Sequence, residues 1–137
     1  MSIETEIKVE IGEPEAFCRT LDALGATPVS ARHFEDNRLF DFPDGRLVAQ
    51  RCTLRVRIAG GRATLTFKGA PRAGGVFRVR EELETGLGDG ATTLEILGRL
   101  GIRPVFRYQK YRREFAPDGV LVAVDERPAA AAPVNMV

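Results

Sequence analysis

The sequence predicts an α+β domain, an antiparallel sheet flanked by two or more helices and built from two strand-helix-strand halves. Three features of the chain point to it. Leu21-Asp22-Ala23-Leu24-Gly25-Ala26-Thr27-Pro28 and Leu97-Gly98-Arg99-Leu100-Gly101-Ile102-Arg103-Pro104 share Leu-x-x-Leu-Gly-x-x-Pro at the same spacing. Each copy reads as a helix end: leucines at i and i+3 on one face, a glycine for the left-handed residue past the last turn, and a proline that blocks continuation. Extended segments precede and follow both copies, and each half closes on Pro-Asp-Gly, at Pro43-Asp44-Gly45 and Pro117-Asp118-Gly119. Finally, 137 residues with 44% hydrophobic and 28% charged side chains suit one folded domain and neither a disordered chain nor a fibre.

The elements follow in order. Ile3 to Ile11 alternates and predicts the first strand, and a helix carrying Phe17, Cys18 and Leu21 on its apolar side runs to Gly25. An extended stretch then leads to Pro43. Thr53 to Ile58 and Arg62 to Lys68 predict an antiparallel hairpin joined through Ala59-Gly60-Gly61. Gly69-Ala70-Pro71-Arg72-Ala73-Gly74-Gly75 predicts a surface loop, Val76 to Thr85 the next strand, and Val120 to Glu126 a short last one. Ala129 to Val137 has no turn-and-strand pattern, so the domain is expected over residues 1–128 with a loose tail at 129–137.

Composition excludes several function classes. Twenty Lys and Arg against nineteen Asp and Glu leave +1, no global field to draw in nucleic acid or an acidic membrane. No apolar run reaches the ~20 residues of a bilayer span, and the N-terminus has no secretory pattern. Two isolated cysteines, Cys18 and Cys52, read as reduced thiols, and the expected location is the cytoplasm. One histidine, His33, and no cysteine cluster leave zinc almost without ligands, so any metal must be held by oxygen. His33 reads as a surface or packing residue. Gly86-Leu87-Gly88-Asp89-Gly90-Ala91 fits a loose dinucleotide-loop pattern, but the preceding strand is ionic, whereas a Rossmann first strand is apolar on both faces. Tyr108 and Tyr111 read as sheet wall and outer packing rather than as a nucleic-acid stacking surface.

What distinguishes the strands is their polar parity. Glu4, Glu6 and Lys8 share one side of the first strand; Arg55 and Arg57, then Lys68, share a side of the hairpin; Arg80, Glu82 and Glu84 follow, and finally Lys110 and Arg112. One such strand would be an ordinary solvated face. Repeated over five strands, with cations and carboxylates segregated, the pattern suggests a shared ligand. If the sheet curls so that this parity faces inward, seven cations (Lys8, Arg55, Arg57, Lys68, Arg80, Lys110, Arg112) meet four carboxylates (Glu4, Glu6, Glu82, Glu84). Crowded cations repel unless an anion joins them, and a polyphosphate meets that need. Arg forks match phosphate oxygens, and carboxylates at i, i+2 can hold a hard divalent ion, magnesium or manganese.

These residues resemble the CYTH family of triphosphate tunnel metalloenzymes, which includes class IV adenylate cyclases and thiamine or inorganic triphosphatases. The resemblance runs from Ile3 to about Arg127. It rests on Glu4-Thr5-Glu6-Ile7-Lys8 and, in order, on Phe34 to Asp41, Leu54-Arg55-Val56-Arg57, Leu65-Thr66-Phe67-Lys68-Gly69, Arg80-Glu81-Glu82-Leu83-Glu84, Lys110-Tyr111-Arg112 and Val124-Asp125-Glu126. The Phe34 to Asp41 stretch and Tyr108 to Arg112 are most similar to the class IV cyclase branch.

The resemblance implies a closed or nearly closed antiparallel tunnel of seven or eight strands. It implies that Lys8, Arg55, Arg57, Lys68, Arg80, Lys110 and Arg112 grip a triphosphate and that Glu4, Glu6, Glu82, Glu84 and Asp125 bind Mg2+ or Mn2+. Lys8 becomes the candidate general base. The substrate expected is a triphosphate-bearing small molecule: ATP cyclised to cyclic AMP and pyrophosphate, or inorganic or thiamine triphosphate hydrolysed. Neither nucleic acid nor membrane is an expected partner, and a homodimer is left open. One departure stands out. Where the family has a last strand ending in Glu-x-Glu, this chain has Ala129 to Val137, which leaves an open tunnel, a truncated member or a non-catalytic polyphosphate binder as the alternative.

Overall fold

The computed structural model describes residues 2–72, 75 and 77–127. Along the chain lie β1 (Ser2–Glu6), α1 (Pro14–Ala23), β2 (Pro28–Asp41), α2 (Arg46–Ala49), β3 (Thr53–Ala59), β4 (Arg62–Lys68), β5 (Arg78–Leu87), α3 (Gly90–Arg99), β6 (Arg103–Phe115) and β7 (Val122–Glu126). The strands form one antiparallel sheet in the order β1-β5-β4-β3-β2-β6-β7, a curled half-barrel. Among the described residues no ladder joins β1 to β7, so both remain edges.

The repeated motif does what its residues dictate. α1 and α3 end on Leu24 and Leu100, and the glycines that follow, Gly25 and Gly101, take φ of 78° and 87°, where a Cβ would be strained. The prolines open the next strands: Pro28 begins β2, and Pro104 is the second residue of β6. β3 and β4 meet through a two-residue Gly60-Gly61 turn, so Ala59 belongs to the ladder, paired with Arg62, rather than to the connection. The glycines before α3 make no nucleotide loop. Gly86 and Leu87 finish β5, and the Asp89 side chain caps α3 by accepting from the Thr92 backbone N at 2.9 Å.

Several boundaries differ from expectation. β1 stops at Glu6, five residues short of Ile11, because β5 begins at Arg78, the partner of Glu6, and the ladder has no rung beyond it. β5 itself runs two residues further than Thr85, to Leu87, where it still pairs with Ala63. Val120 belongs to the turn, its N–H donating to the Pro117 carbonyl at 3.0 Å. α2 was not legible in the sequence at all. The expected tail and the missing last strand at 129–137 lie outside the described residues, as do Ala73, Gly74 and Val76.

The apolar core is small and split, with Phe40 of β2 and Val56 of β3 buried apart from the main cluster. Cys18 and Leu21 of α1 pack with Ala26, Phe115 and Val124, flanked by Phe17 and Val122, on the outer face of β6 and β7. α3 buries no residue, and its Ile96 and Leu100 stay exposed.

A second organising contact is polar. Asp41, 4% exposed at the end of β2, accepts from the backbone N–H of Phe42 (2.7 Å), Leu47 (2.9 Å) and Val48 (3.0 Å), and so anchors α2. Burial pushes its carboxyl up, but the three N–H donors outweigh this and hold it below the usual aspartate range. Asp41→Asn should therefore lower folding stability by about 2 kcal/mol in urea titrations at neutral pH. Because the folded value is the lower one, the Asp41 contribution is present above about pH 4 and fades as pH falls through the folded value. The gap between variant and wild type should close in acid.

Candidate functional site

In this sheet the ionic parity is withdrawn from solvent as well as the apolar one. Lys68 and Arg80 are buried, as are Glu35, Asn37 and Thr66; of the opposite parity Val56 and Phe40 are buried, while Ile3, Leu83 and Phe34 are exposed. The register puts the ionic residues side by side across strands: Glu4 opposite Arg80, Lys68 opposite Glu82, Arg57 opposite Asn37, Glu35 opposite Lys110 and Arg112 opposite Asp125. Lys68 of β4 reaches Glu4 of β1 across the intervening β5, at 2.9 and 3.0 Å, which requires this face to be the inside of the curl.

Two clusters share the inner face. On β1, β5 and β4 the carboxylates predominate. Lys68 lies 3.5 Å from Glu82, Arg80 lies 3.6 Å from Glu4 and 3.7 Å from Glu6, and Glu84 accepts from Thr66 at 2.7 Å with Arg55 4.0 Å away. On β3, β2, β6 and β7 the cations predominate. Asp125 accepts from Lys110 (2.9 Å) and from Arg112 (2.7 and 2.9 Å), and Arg57 sits 3.1 Å from Glu35 while donating to Asn37 at 2.7 Å. Several polar atoms remain unspent: the Nε groups of Arg55 and Arg80, Glu6 Oε1 and Asn37 Nδ2 are buried with no hydrogen-bond partner.

The electrostatics follow this crowding. Burial, then the neighbouring Arg55, lowers Arg57; burial, then Arg112, lowers Lys110. Burial also acts against the Arg112 cation, but its bonds to Asp125 outweigh that and hold it above the usual arginine range. Glu4 and Glu82 are neighbouring carboxyls and divide in opposite directions. Burial raises both, yet the Lys68 bond carries Glu4 below the usual glutamate range, whereas Glu82, with the Glu4 charge beside it, goes above it.

Of the residues singled out in the sequence, Arg55, Arg57, Lys68, Arg80, Lys110, Arg112, Glu4, Glu6, Glu82, Glu84 and Asp125 converge on this face. Lys8 does not. It lies past the end of β1, exposed, with no ion pair or hydrogen bond among the described residues. Conversely, Glu35 and Asn37, not singled out in the sequence, and His33, read there as a surface or packing residue, line the same side of β2; His33 Nε2 stands 2.9 Å from Glu35. Their signal was the parity His33, Glu35, Asn37, which runs into the Phe34 to Asp41 stretch quoted only for its likeness. The charge balance changes accordingly. Six cations (Arg55, Arg57, Lys68, Arg80, Lys110, Arg112) meet six carboxylates (Glu4, Glu6, Glu35, Glu82, Glu84, Asp125), and the surplus expected from the sequence is absent.

Among the described residues, no group of three or more His, Cys, Asp or Glu side chains is poised around a metal. The reason is local: Glu4 directs both oxygens to Lys68. The donor chemistry nonetheless fits a hard divalent ion, since burial and the neighbouring Glu4 charge push Glu82 up, a repulsion a cation would relieve, and Glu6 Oε1 is buried without a partner.

The Asp125 carboxyl is pushed up by burial but held at about 2 by its bonds to Arg112 and Lys110. Its contribution to stability is therefore present above about pH 4 and lost as pH falls through about 2. Acid unfolding of Asp125→Asn should be flatter across that window than that of the wild type, and an NMR titration of the Asp125 side chain should give a midpoint well below pH 3.

Comparison with known proteins agrees with this geometry. A protein of Methanocaldococcus jannaschii provisionally named an adenylate cyclase is 27% identical over 124 residues, 90% of this chain and 70% of its own. A Vibrio parahaemolyticus structure, also provisionally an adenylate cyclase, superposes with a TM-score of 0.77 at 18% identity, over 90% of this chain and 67% of that one. A Hippeastrum protein first assigned as an adenylyl cyclase, and described as having a dominant triphosphatase activity, gives 0.70 at 19% identity, over 95% and 75%. No helix among the described residues is long and apolar enough to cross a membrane. The CYTH domain model matches residues 2–130, and the chain belongs to that family.

Proposed function

We propose that this protein is a metal-dependent, triphosphate-processing enzyme that either cyclises ATP to cyclic AMP and pyrophosphate or hydrolyses an inorganic or organic triphosphate such as thiamine triphosphate. The observation that carries the reading is the inner face itself, where Arg and Lys are buried beside carboxylates and two guanidinium Nε groups have nothing to bind. Arg55 and Arg57, on β3, and Lys110 and Arg112, on β6, present adjacent donors to a chain of phosphates. Lys68 and Arg80 extend that row toward β1. Glu4, Glu6 and Glu82 would hold Mg2+ or Mn2+, with Glu84 and Asp125 as further carboxylates. The bound ion would supply positive charge at the phosphoryl oxygens and lower the pKa of the attacking group. With that charge added, the balanced face becomes net positive and the phosphates complete it. Asp125 orients Lys110 and Arg112 by accepting from both, and Glu35 does the same for Arg57 through charge. Soluble nucleotide and free thiols together favour the cytoplasm.

A second reading has its own support. The candidate base, Lys8, stands outside the face, which favours a binder that grips polyphosphate without turning it over. Incubating purified protein with ATP, tripolyphosphate or thiamine triphosphate and Mg2+ or Mn2+ separates the two. Product is expected, orthophosphate or cyclic AMP, and EDTA should abolish it. Arg57→Ala or Arg112→Ala should lower kcat/KM about a hundredfold. If Lys8→Ala is silent, the general-base assignment fails while the triphosphate assignment stands. Tight binding with no product from any of the three substrates would leave the binder.

A further inference from the structure

His33, the one histidine of the chain, sits on the inner side of β2, opposite Arg112 of β6 and two residues before Glu35. Both of its ring nitrogens meet oxygen. Nδ1 lies 3.0 Å from the Ala31 carbonyl and Nε2 lies 2.9 Å from Glu35 Oε2. A neutral imidazole carries one N–H and would set a lone pair against a lone pair at one of these contacts, whereas the imidazolium donates at both. The Ala31 bond, and those to Glu35 against the opposing effect of burial, accordingly hold the ring above the usual histidine range. The ring is half-buried and exchanges its proton with solvent, while Glu35 beneath it is buried. The remaining charges that face it come from three strands: Arg112 and Glu114 of β6, Asp125 of β7 behind Arg112, and Arg57 of β3 behind Glu35. Asp125 is already taken by Arg112 and Lys110, and Glu114 accepts from Ser30. Glu35 is therefore the carboxylate that the ring and the phosphate-binding cations share: Oε2 takes the His33 bond, Oε1 lies 3.1 Å from Arg57 with no hydrogen bond of its own, and Lys110 stands opposite on β6.

We propose that His33 is a positioning residue whose imidazolium answers the buried Glu35 carboxylate and so leaves Arg57 available to phosphate. The role rests on the triphosphate reading and adds a proton to it. Six cations and six carboxylates balance on the inner face; a protonated His33 makes it seven against six, so the surplus that a polyanion needs comes and goes with one proton. When the ring loses that proton, Glu35 keeps a charge in low dielectric and must draw its whole answer from the cations beside it, Arg57 first. A guanidinium spent in that way has less to offer a phosphate. His33 thus acts through Glu35 rather than on the ligand. Because the protonated ring favours the anion, affinity is full below the His33 midpoint and falls as pH rises through it, and by reciprocity the bound anion raises that midpoint by the same factor.

The probe is bis-methylene triphosphate, tripolyphosphate with both bridging oxygens replaced by CH2, given with Mg2+ so that it binds without being cleaved. Titration calorimetry from about pH 6 to about pH 9 compares the wild type with His33→Gln and Glu35→Gln. The wild type should lose about tenfold more affinity over that range than either variant, since all three share the titration of the probe itself. Equal affinities of wild type and His33→Gln at about pH 9, where the ring is neutral, also show that the variant is folded. A second readout needs no variant. The single histidine gives an unambiguous ring signal in tag-free protein, and its NMR midpoint should lie above about 6.5 and rise about tenfold in proton affinity when the probe binds. In Glu35→Gln that midpoint should fall. Parallel pH profiles of wild type and His33→Gln, or a midpoint that the probe does not move, would overturn the role of His33 and leave the triphosphate reading standing. A Glu35→Gln profile as steep as that of the wild type would overturn it too, because the ring would then act by its own charge. If the wild type binds no probe at any pH, the triphosphate reading falls, and this role with it.

Discussion

Charge that has been taken out of water must be answered by opposite charge, and the inner face of this sheet is organised by that requirement. Lys68, Arg80, Arg57, Lys110 and Arg112 are each within 4 Å of a carboxylate, yet the pairing is incomplete at the atomic level. Arg57 uses its Nε–H on Asn37 and meets Glu35 only as a charge, and Arg80 touches two glutamates beyond hydrogen-bond reach. Such a face is stable enough to form and still holds donors in reserve. A polar network with partners to spare is costly as pure structure, because each unpaired buried atom has lost its water. It is economical as a binding wall, where the ligand supplies the missing partners.

The same requirement explains why the sheet curls with its charges inside and apolar side chains outward. The outer side of β6 and β7 is covered by α1, and there the core closes around Cys18, Leu21, Phe115 and Val124. The other half is less fully covered. Val56 and Phe40 are buried on β3 and β2, but α3 repeats the α1 ending with no fully buried residue of its own, and Ile3, Leu83 and Ile58 remain exposed on the outer side of β1, β5 and β3. Duplicated sequence has therefore produced unequal halves. The acidic edge, with Glu4, Glu6 and Glu82, sits in the less covered one.

The amino-acid sequence alone determined the two helix ends, the hairpin and the parity of the charged strands, because glycine, proline and period-two alternation act within a few residues of themselves. Parity therefore picked out ten of the residues that line the inner face, from Glu4 to Arg112, and the family resemblance added Asp125. Which parity faces inward, where β1 stops and how the charges balance were decided only by the assembled sheet. Lys8 alternates correctly with Glu4 and Glu6, but a strand lasts only as long as its partner, and β5 begins too late to hold it. Glu35 and Asn37 carry no motif of their own; they became part of the wall because β2 lies between β3 and β6, a placement set by pairing over long stretches of chain.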